Sequence, residues 1–408
     1  MSCLSRVWPL VVAAVALFGP GGAATASAQS WPTQPMAFLD GRLLVAGDAS
    51  VTFGSADPGW FTYTDYATDA LRRVRAGVTL EARAARWLVF LTEWRAESGS
   101  GIRPYAWYLR ITPFESGVVS IQAGRIPPVF GAYGRRSYPQ DNPLIGDPLM
   151  YQYLTTMRAD AVPASADDLA RMRARGWYVE YPIGNPDGYS GVPIISSSRW
   201  DTGVQARFGT QTLEAAVAVT TGTLSNPLVK DNNDGRQLAG HITWRPIPAL
   251  TVGASAARGA FLGKDVLAAR PDVRDTGSRQ QAVGVDAEVS WDRWLIRTEF
   301  VANQWTVPPI DRPAITEPLG ARAAYVEAKL RVRPGLYVAA RADRIWFSSI
   351  RTSFGDMTWD ADVSRLEFGV GYTPRRGVLV KSSVLSHWRD GGAIRRDTQF
   401  GVQLSFWL

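Results

Sequence analysis

The chain is poor in the side chains on which most metal and disulfide proteins depend. Its 408 residues include one cysteine, Cys3, and two histidines, His241 and His387. One cysteine excludes a disulfide scaffold, and the three residues together serve zinc or haem badly. No cofactor or metal is therefore expected. Long apolar runs are also missing: beyond residue 28 nothing approaches the ~18 consecutive apolar residues of a spanning helix, which excludes a helical membrane protein. Lysine occurs four times, at 230, 264, 329 and 381, so the +7 formal charge rests on arginine. Those arginines alternate with carboxylates instead of forming one stripe, so a nucleic-acid partner is not expected. Disorder is excluded by 46% apolar and 11% aromatic content. The run Lys230 to Gly235 lacks EF-hand spacing, and no phosphate-binding glycine motif follows a strand.

What is present begins with a leader. Arg6, the apolar run Val7 to Phe18, the breaker Gly19-Pro20-Gly21-Gly22 and the small-residue site Ala26-Ser27-Ala28 have the layout of a secretory signal over 1–28. Its removal takes Cys3 and Arg6 with it and leaves a mature domain over 29–408.

The mature chain has a period of two. Val74, Ala76, Val78, Leu80 and Ala82 alternate with polar or small residues, as do Val283 to Val289, Val326 to Val332 and Leu366 to Tyr372. Such alternation puts one apolar and one polar face on each strand. The blocks run to about ten residues, the length of a tilted strand crossing a bilayer. Tight links fall at 84–86, 113–117, 209–211, 246–249, 291–293, 333–335 and 374–377. Longer segments fall at 54–70, 97–104, 126–199, 222–236, 259–279, 304–319, 347–362 and 388–395. Seven turns and eight loops predict an all-β, antiparallel up-and-down transmembrane barrel of sixteen strands. Trp177 to Tyr181 has strand character; it is assigned to the third loop, with an eighteen-strand alternative left open. Trp94, Trp107, Trp200, Trp244, Trp294, Phe53 and Tyr372 take the outward parity, several near strand ends, as interfacial aromatics do.

The inward parity carries Arg73, Arg75, Arg83, Glu93, Arg95, Arg110, Arg297, Lys329, Arg331, Arg341 and Lys381. Arg42, Arg207, Arg245, Arg365 and acids such as Glu327, Asp343 and Glu367 join them, giving a wall of nearly balanced charge. The segment 126–199 is too long for an idle connection. Within it Ser165-x-x-Asp168 reads as a capping box before a helix over 169–175 that stops at Gly176. Folded into the lumen, it would make Arg135, Arg136, Arg158, Arg171, Arg173 and Arg175 candidates for a pore constriction.

Signal, alternating blocks, turn-and-loop rhythm, enlarged third loop and a terminal strand, Phe400, Val402, Leu404, Phe406 and Leu408 on one face, together resemble Gram-negative porins. The stretch Gly124-Arg125-Ile126-Pro127-Pro128-Val129-Phe130-Gly131 is similar to a strand-to-loop element of phosphate-selective O/P-type porins. The resemblance implies an outer-membrane channel for passive diffusion of small hydrophilic solutes or ions, in contact with lipid and lipopolysaccharide and assembled as a homotrimer. With few lysines, it implies a general or weakly anion-preferring pore. A non-conducting scaffold barrel is the alternative. An outer-membrane enzyme is more distant, since neither histidine neighbours a nucleophile motif in sequence.

Overall fold

The computed structural model describes residues 34–63, 68–98, 100–197, 200–271, 277–308 and 313–408; the signal segment lies outside them. Sixteen strands form one antiparallel sheet. In chain order they are β1 (Leu43–Gly54), β2 (Val74–Ala85), β3 (Leu88–Glu97), β4 (Ser100–Ile111), β5 (Val119–Ile126), β6 (Asp201–Gly209), β7 (Leu213–Thr220) and β8 (Gln237–Ile247). The series continues with β9 (Leu250–Ala260), β10 (Arg279–Trp291), β11 (Trp294–Thr306), β12 (Leu319–Arg333), β13 (Leu336–Phe347), β14 (Val363–Arg375), β15 (Val378–Arg389) and β16 (Arg396–Trp407). Each pairs with the next, and β16 closes on β1 from Asp48↔Trp407 to Gly54↔Gly401. A three-residue strand, Met36–Phe38, adds to the start of β1.

Closure follows from the backbone. In lipid every amide must find its partner within the protein, and a closed sheet leaves no edge. The alternation falls as the sequence requires. Phe53, Phe90, Trp94, Val283, Val326, Phe368 and Phe400 point outward and are exposed, while Ser50, Gln122, Gln205, Glu327 and Gln403 point inward and are buried. No helix among the described residues is long and apolar enough to cross a membrane; the strands carry that role.

Three expectations are corrected. The link after Glu97 is short, because β4 begins at Ser100 and its register with β3 absorbs 100–104. Trp177 to Tyr181 forms no barrel strand: Val179 makes a single bridge to Tyr189 within the third loop, so the barrel has sixteen strands and not eighteen. Trp200 is buried, packed on Tyr105 and Tyr108 at ring distances of 5.3 and 6.4 Å. It precedes β6, where the strand's parity does not yet hold.

The third loop contains two short helices, α1 (Leu149–Gln152) and α2 (Ala166–Arg171). The Ser165 cap forms at α2: Ser165 Oγ accepts from the Asp168 amide at 3.2 Å, while the Asp168 carboxylate reaches one residue past the box, to the Ala164 N–H at 3.0 Å. The helix ends before the predicted stop, because Ala174 turns left-handed (φ 64°) and donates its N–H to Asp360 at 2.9 Å. Burial pushes the Asp360 carboxyl above the usual carboxylate range, against the pull of the Ala174, Ala361 and Thr156 amides. Replacing Ser165 by alanine is expected to cost about 1 kcal/mol of local stability. Amide exchange over 166–171 should accelerate about fivefold; unchanged exchange would show that packing alone holds the helix.

Candidate functional site

The third loop packs against inward residues of the barrel and is fastened there by charge. Lys381 donates to the carbonyls of Pro139, Asn142 and Leu144 at 2.8, 2.9 and 2.8 Å. Arg341, fully enclosed, meets Glu367, Glu327 and Asp343 at 2.7, 3.1 and 3.3 Å and donates to the Gly146 carbonyl. Glu367 in turn accepts from the amides of Ile145 and Gly146, and Asp343 from that of Leu149 at the start of α1. Arg365 bridges Asp343, Gln152 and the Asp147 carbonyl. Gly131 shows why the chain turns where it does. Its φ is +74°, and a Cβ there would lie 2.3 Å from the Tyr151 hydroxyl and 2.5 Å from Glu299.

Beside this clamp lies an apolar core. Phe130, Leu149, Met150, Leu169, Met172 and Ile194 of the loop pack against Ala239, Ala257, Ala282, Val301, Ala323 and Ile345 of β8 to β13. The inward parity there is small and apolar, so the lumen wall is not polar throughout.

The opposite seam, between the loop and β1 to β3, is cationic. Arg73 and Arg75 stand two residues apart on one face, and Arg95 lies beside them across the Gly77↔Arg95 pair. Arg95 is held by Glu93 at 2.7 Å and lies over the Tyr105 ring at 3.3 Å. Arg75 donates to the Ser137 carbonyl at 3.4 Å and faces Asp48 at 3.8 Å. Tyr138 spans the seam, its hydroxyl donating to Glu93 at 2.6 Å and its ring 5.2 Å from both Arg75 and Arg95. Around a cavity of about 20 Å³ the three arginines face Asp147, Tyr151 and Gln152. That is room for about one water. Among the described residues, Arg73 Nε and Arg75 Nε and Nη2 have no hydrogen-bond partner.

The remaining candidates are distributed as follows. Arg158 is enclosed within the loop itself, bound to Asp160 at 2.8 Å and to the carbonyls of Val179 and Asp187. Arg171 pairs with Asp168 and is exposed, while Arg173 reaches Thr358 and the Asp390 carbonyl in the last two loops; Arg175 is exposed. Arg171, Arg173 and Arg175 thus stand at the loop end, away from the arginine seam. Arg136 meets Glu288 at 2.9 Å, which Arg297 also contacts, lining the chamber on the turn side. The side chain of Arg135 is outside the described residues. Arg83 and Arg331 are exposed near the turns, Arg110 is half-buried and pairs with Glu81 at 3.4 Å, and Lys329 lies 4.2 Å from the Tyr337 ring. Sequence reasoning missed Tyr138, one of several aromatics in a loop that carries no periodic signal.

Cross-strand register brings together one group that sequence separation conceals. His241 pairs with Ser255 on β9, its Nδ1 3.1 Å from the hydroxyl, and its Nε2 lies 3.7 Å from Asp286. The Ser255 hydroxyl also accepts the Gly131 amide at 3.0 Å and is buried beneath the loop. The trio anchors the loop and presents no open nucleophile. His387 is buried against Phe61, ring to ring at 4.6 Å.

No family model and no curated protein matches the sequence. Solved barrels do match in fold. The outer-membrane channel DcaP of Acinetobacter baumannii aligns at TM-score 0.53 and 12% identity, over 92% of this chain and 100% of that one. The anion-selective porin from Comamonas acidovorans aligns at 0.54 and 8%, over 90% and 99%. The trimer form of OmpT, an outer membrane protein of Vibrio cholerae, aligns at 0.51 and 12%, over 90% and 99%. The chain has the sixteen-stranded porin fold.

Proposed function

We propose that the chain is an outer-membrane channel that lets small hydrophilic solutes or ions diffuse passively, with a weak preference for anions and no covalent step. The observation that carries this reading is the arginine seam. Arg73, Arg75 and Arg95 line the small cavity between the loop and the wall, and donors of the first two are unsatisfied. An unpaired buried donor costs about 1–3 kcal/mol, and a passing anion relieves that cost. Asp147 and Glu97 at the same cavity keep the preference weak, and rings of charge at a constriction bias which ions pass. The matched folds include an anion-selective porin and a trimer, which supports an anion preference and a homotrimer; a surround of lipid and lipopolysaccharide is part of the same reading.

A specific observation favours a second reading, a non-conducting barrel: the apolar core and the clamped charges occupy most of the waist. Planar-bilayer recording across a salt gradient separates the two. The channel reading expects discrete, small conductance steps with a reversal potential displaced toward the anion. Absence of steps would leave the closed barrel.

A further inference from the structure

Taken as a whole the lumen wall is nearly balanced in charge, yet strand register sorts that charge along the strands. Cross-strand rows over β10 to β15 show the sorting. The row Asp286, Glu299, Tyr325, Asp343 and Arg365 carries three carboxylates against one cation. Two residues nearer the turns, Glu288, Arg297, Glu327, Arg341 and Glu367 alternate in sign. Nearer still, the row through Lys329 and the row that joins Arg331 to Lys381 contain no carboxylate. On the far side of the closure Arg83 and Arg110, either side of Val89, are the inward charges nearest the turns of β2 to β4.

The rim continues the sign. Arg42, Arg86, Arg293, Arg333, Arg375 and Arg376 are exposed at five successive ends of the sheet, from the β10–β11 turn through the closure to the β2–β3 turn. The exposed acids at the turns are Asp40, Glu115 and Asp292. Among the described residues none of these six arginines forms an ion pair, and neither do Arg207, Lys329 and Arg331. Unpaired charges of one sign around a low-dielectric mouth add to a potential of several kT and raise the local concentration of counter-ions. The enrichment grows with the power of the ion's charge, so a dianion gains more than a monoanion. A pore whose two halves differ in sign also conducts unequally in the two directions. Anions driven in from the cationic end meet cations drawn from the other, and the pore fills with carriers; the opposite voltage empties it.

We propose that the turn-side half of the lumen is a cationic antechamber that concentrates anions, dianions above monoanions, and makes the channel rectify, with the larger current when anions enter from the turns. The rectification rests on the channel reading above, whereas the antechamber stands on the wall charges alone.

A cysteine probe reads the antechamber without conduction. Ser290 is exposed on the inward parity of β10, in one row with Leu295 and Lys329 and about 10 Å from the latter. In C3S/S290C at about 0.1 M salt, an anionic thiol reagent should react at least about tenfold faster than a cationic one of equal size, relative to a free thiol. At about 1 M salt, where the screening length falls to about 3 Å, the ratio should approach one. Adding R293Q/R331Q/R333Q/R376Q should lower the low-salt ratio at least about threefold; the salt series decides the matter if that variant fails to assemble. Sulfate in place of chloride at equal ionic strength should slow the anionic reagent further, and equal slowing would overturn the preference for dianions. In planar bilayers, with orientation fixed by the side from which S290C is blocked, currents at opposite voltages should differ at least about twofold in low salt. The four substitutions should bring them together. A reagent ratio near one in low salt, or one indifferent to the four arginines, would overturn the antechamber. Conductance with equal currents in both directions would overturn the rectification and leave the channel. A high ratio without conductance would support the antechamber and count against the channel.

Discussion

Replacing Arg73 and Arg75 together by glutamine is expected to lower anion over cation permeability about tenfold, read as a shift of reversal potential in a salt gradient. The size follows from Coulomb's law. A unit charge about 5 Å from an ion in near-aqueous dielectric is worth about 0.8 kcal/mol. Each charge favours the anion and disfavours the cation by that amount, so two of them shift the ratio by about 3.3 kcal/mol unscreened, which salt and the neighbouring carboxylates reduce to roughly a power of ten. The pair is chosen because its loss removes unsatisfied donors and leaves the Arg95–Glu93 bridge and its Tyr105 stack in place. Neutralising Arg171, Arg173 and Arg175 is the control. One of them is already paired with Asp168, and another is bound to the last two loops. Their removal should change the ratio by less than about twofold. A reversal potential indifferent to Arg73 and Arg75 but moved by the helix would relocate the selective region to the loop end.

Truncating Arg341 to alanine should have the largest effect on the structure. Its guanidinium is fully enclosed between Glu327, Asp343 and Glu367, and removing one partner of a buried ion cluster leaves uncompensated charge, at about 3–5 kcal/mol. The consequence should be local. Glu367 and Asp343 hold the amides of Ile145, Gly146 and Leu149, so the third loop loosens while the sheet persists. Limited proteolysis should cut within 137–152 at a rate at least about tenfold higher, and single-channel current should rise and become noisy. R341M/E367Q should be less damaging than R341M, because it removes charge from both sides. Wild-type proteolysis and current in R341A would show that the apolar core alone seats the loop.

How far the site could be read from sequence depends on the range of the interaction involved. Arg73 and Arg75 share a face because strand geometry alternates side chains one by one, so their inward position was legible without any fold. Arg95 required only one further hairpin register. The cap at Ser165 is equally local, and its side-chain bond to the Asp168 amide formed. The end of α2 was not legible, since Asp360, about 190 residues away in the chain, takes the Ala174 amide. Nor were the Lys381 clamp or the His241–Ser255 contact, which exist only once strands and loop are brought together.

Sequence alone determined the barrel. Period-two blocks of bilayer length, separated by alternating short and long links, allow few arrangements in which every amide is paired, and sixteen strands close the sheet. Tertiary structure decided what fills it. Alanines at 239, 257, 282 and 323 look like ordinary small residues in a strand; they become a core wall only because the third loop lays Phe130, Leu149 and Met172 against them. Likewise a balanced set of luminal charges became two different things. Arg341, Glu367 and Lys381 are consumed in holding the loop, whereas Arg73 and Arg75 keep donors free. Parity fixes which face a charge lies on, whereas its partner is fixed by where a distant loop comes to rest.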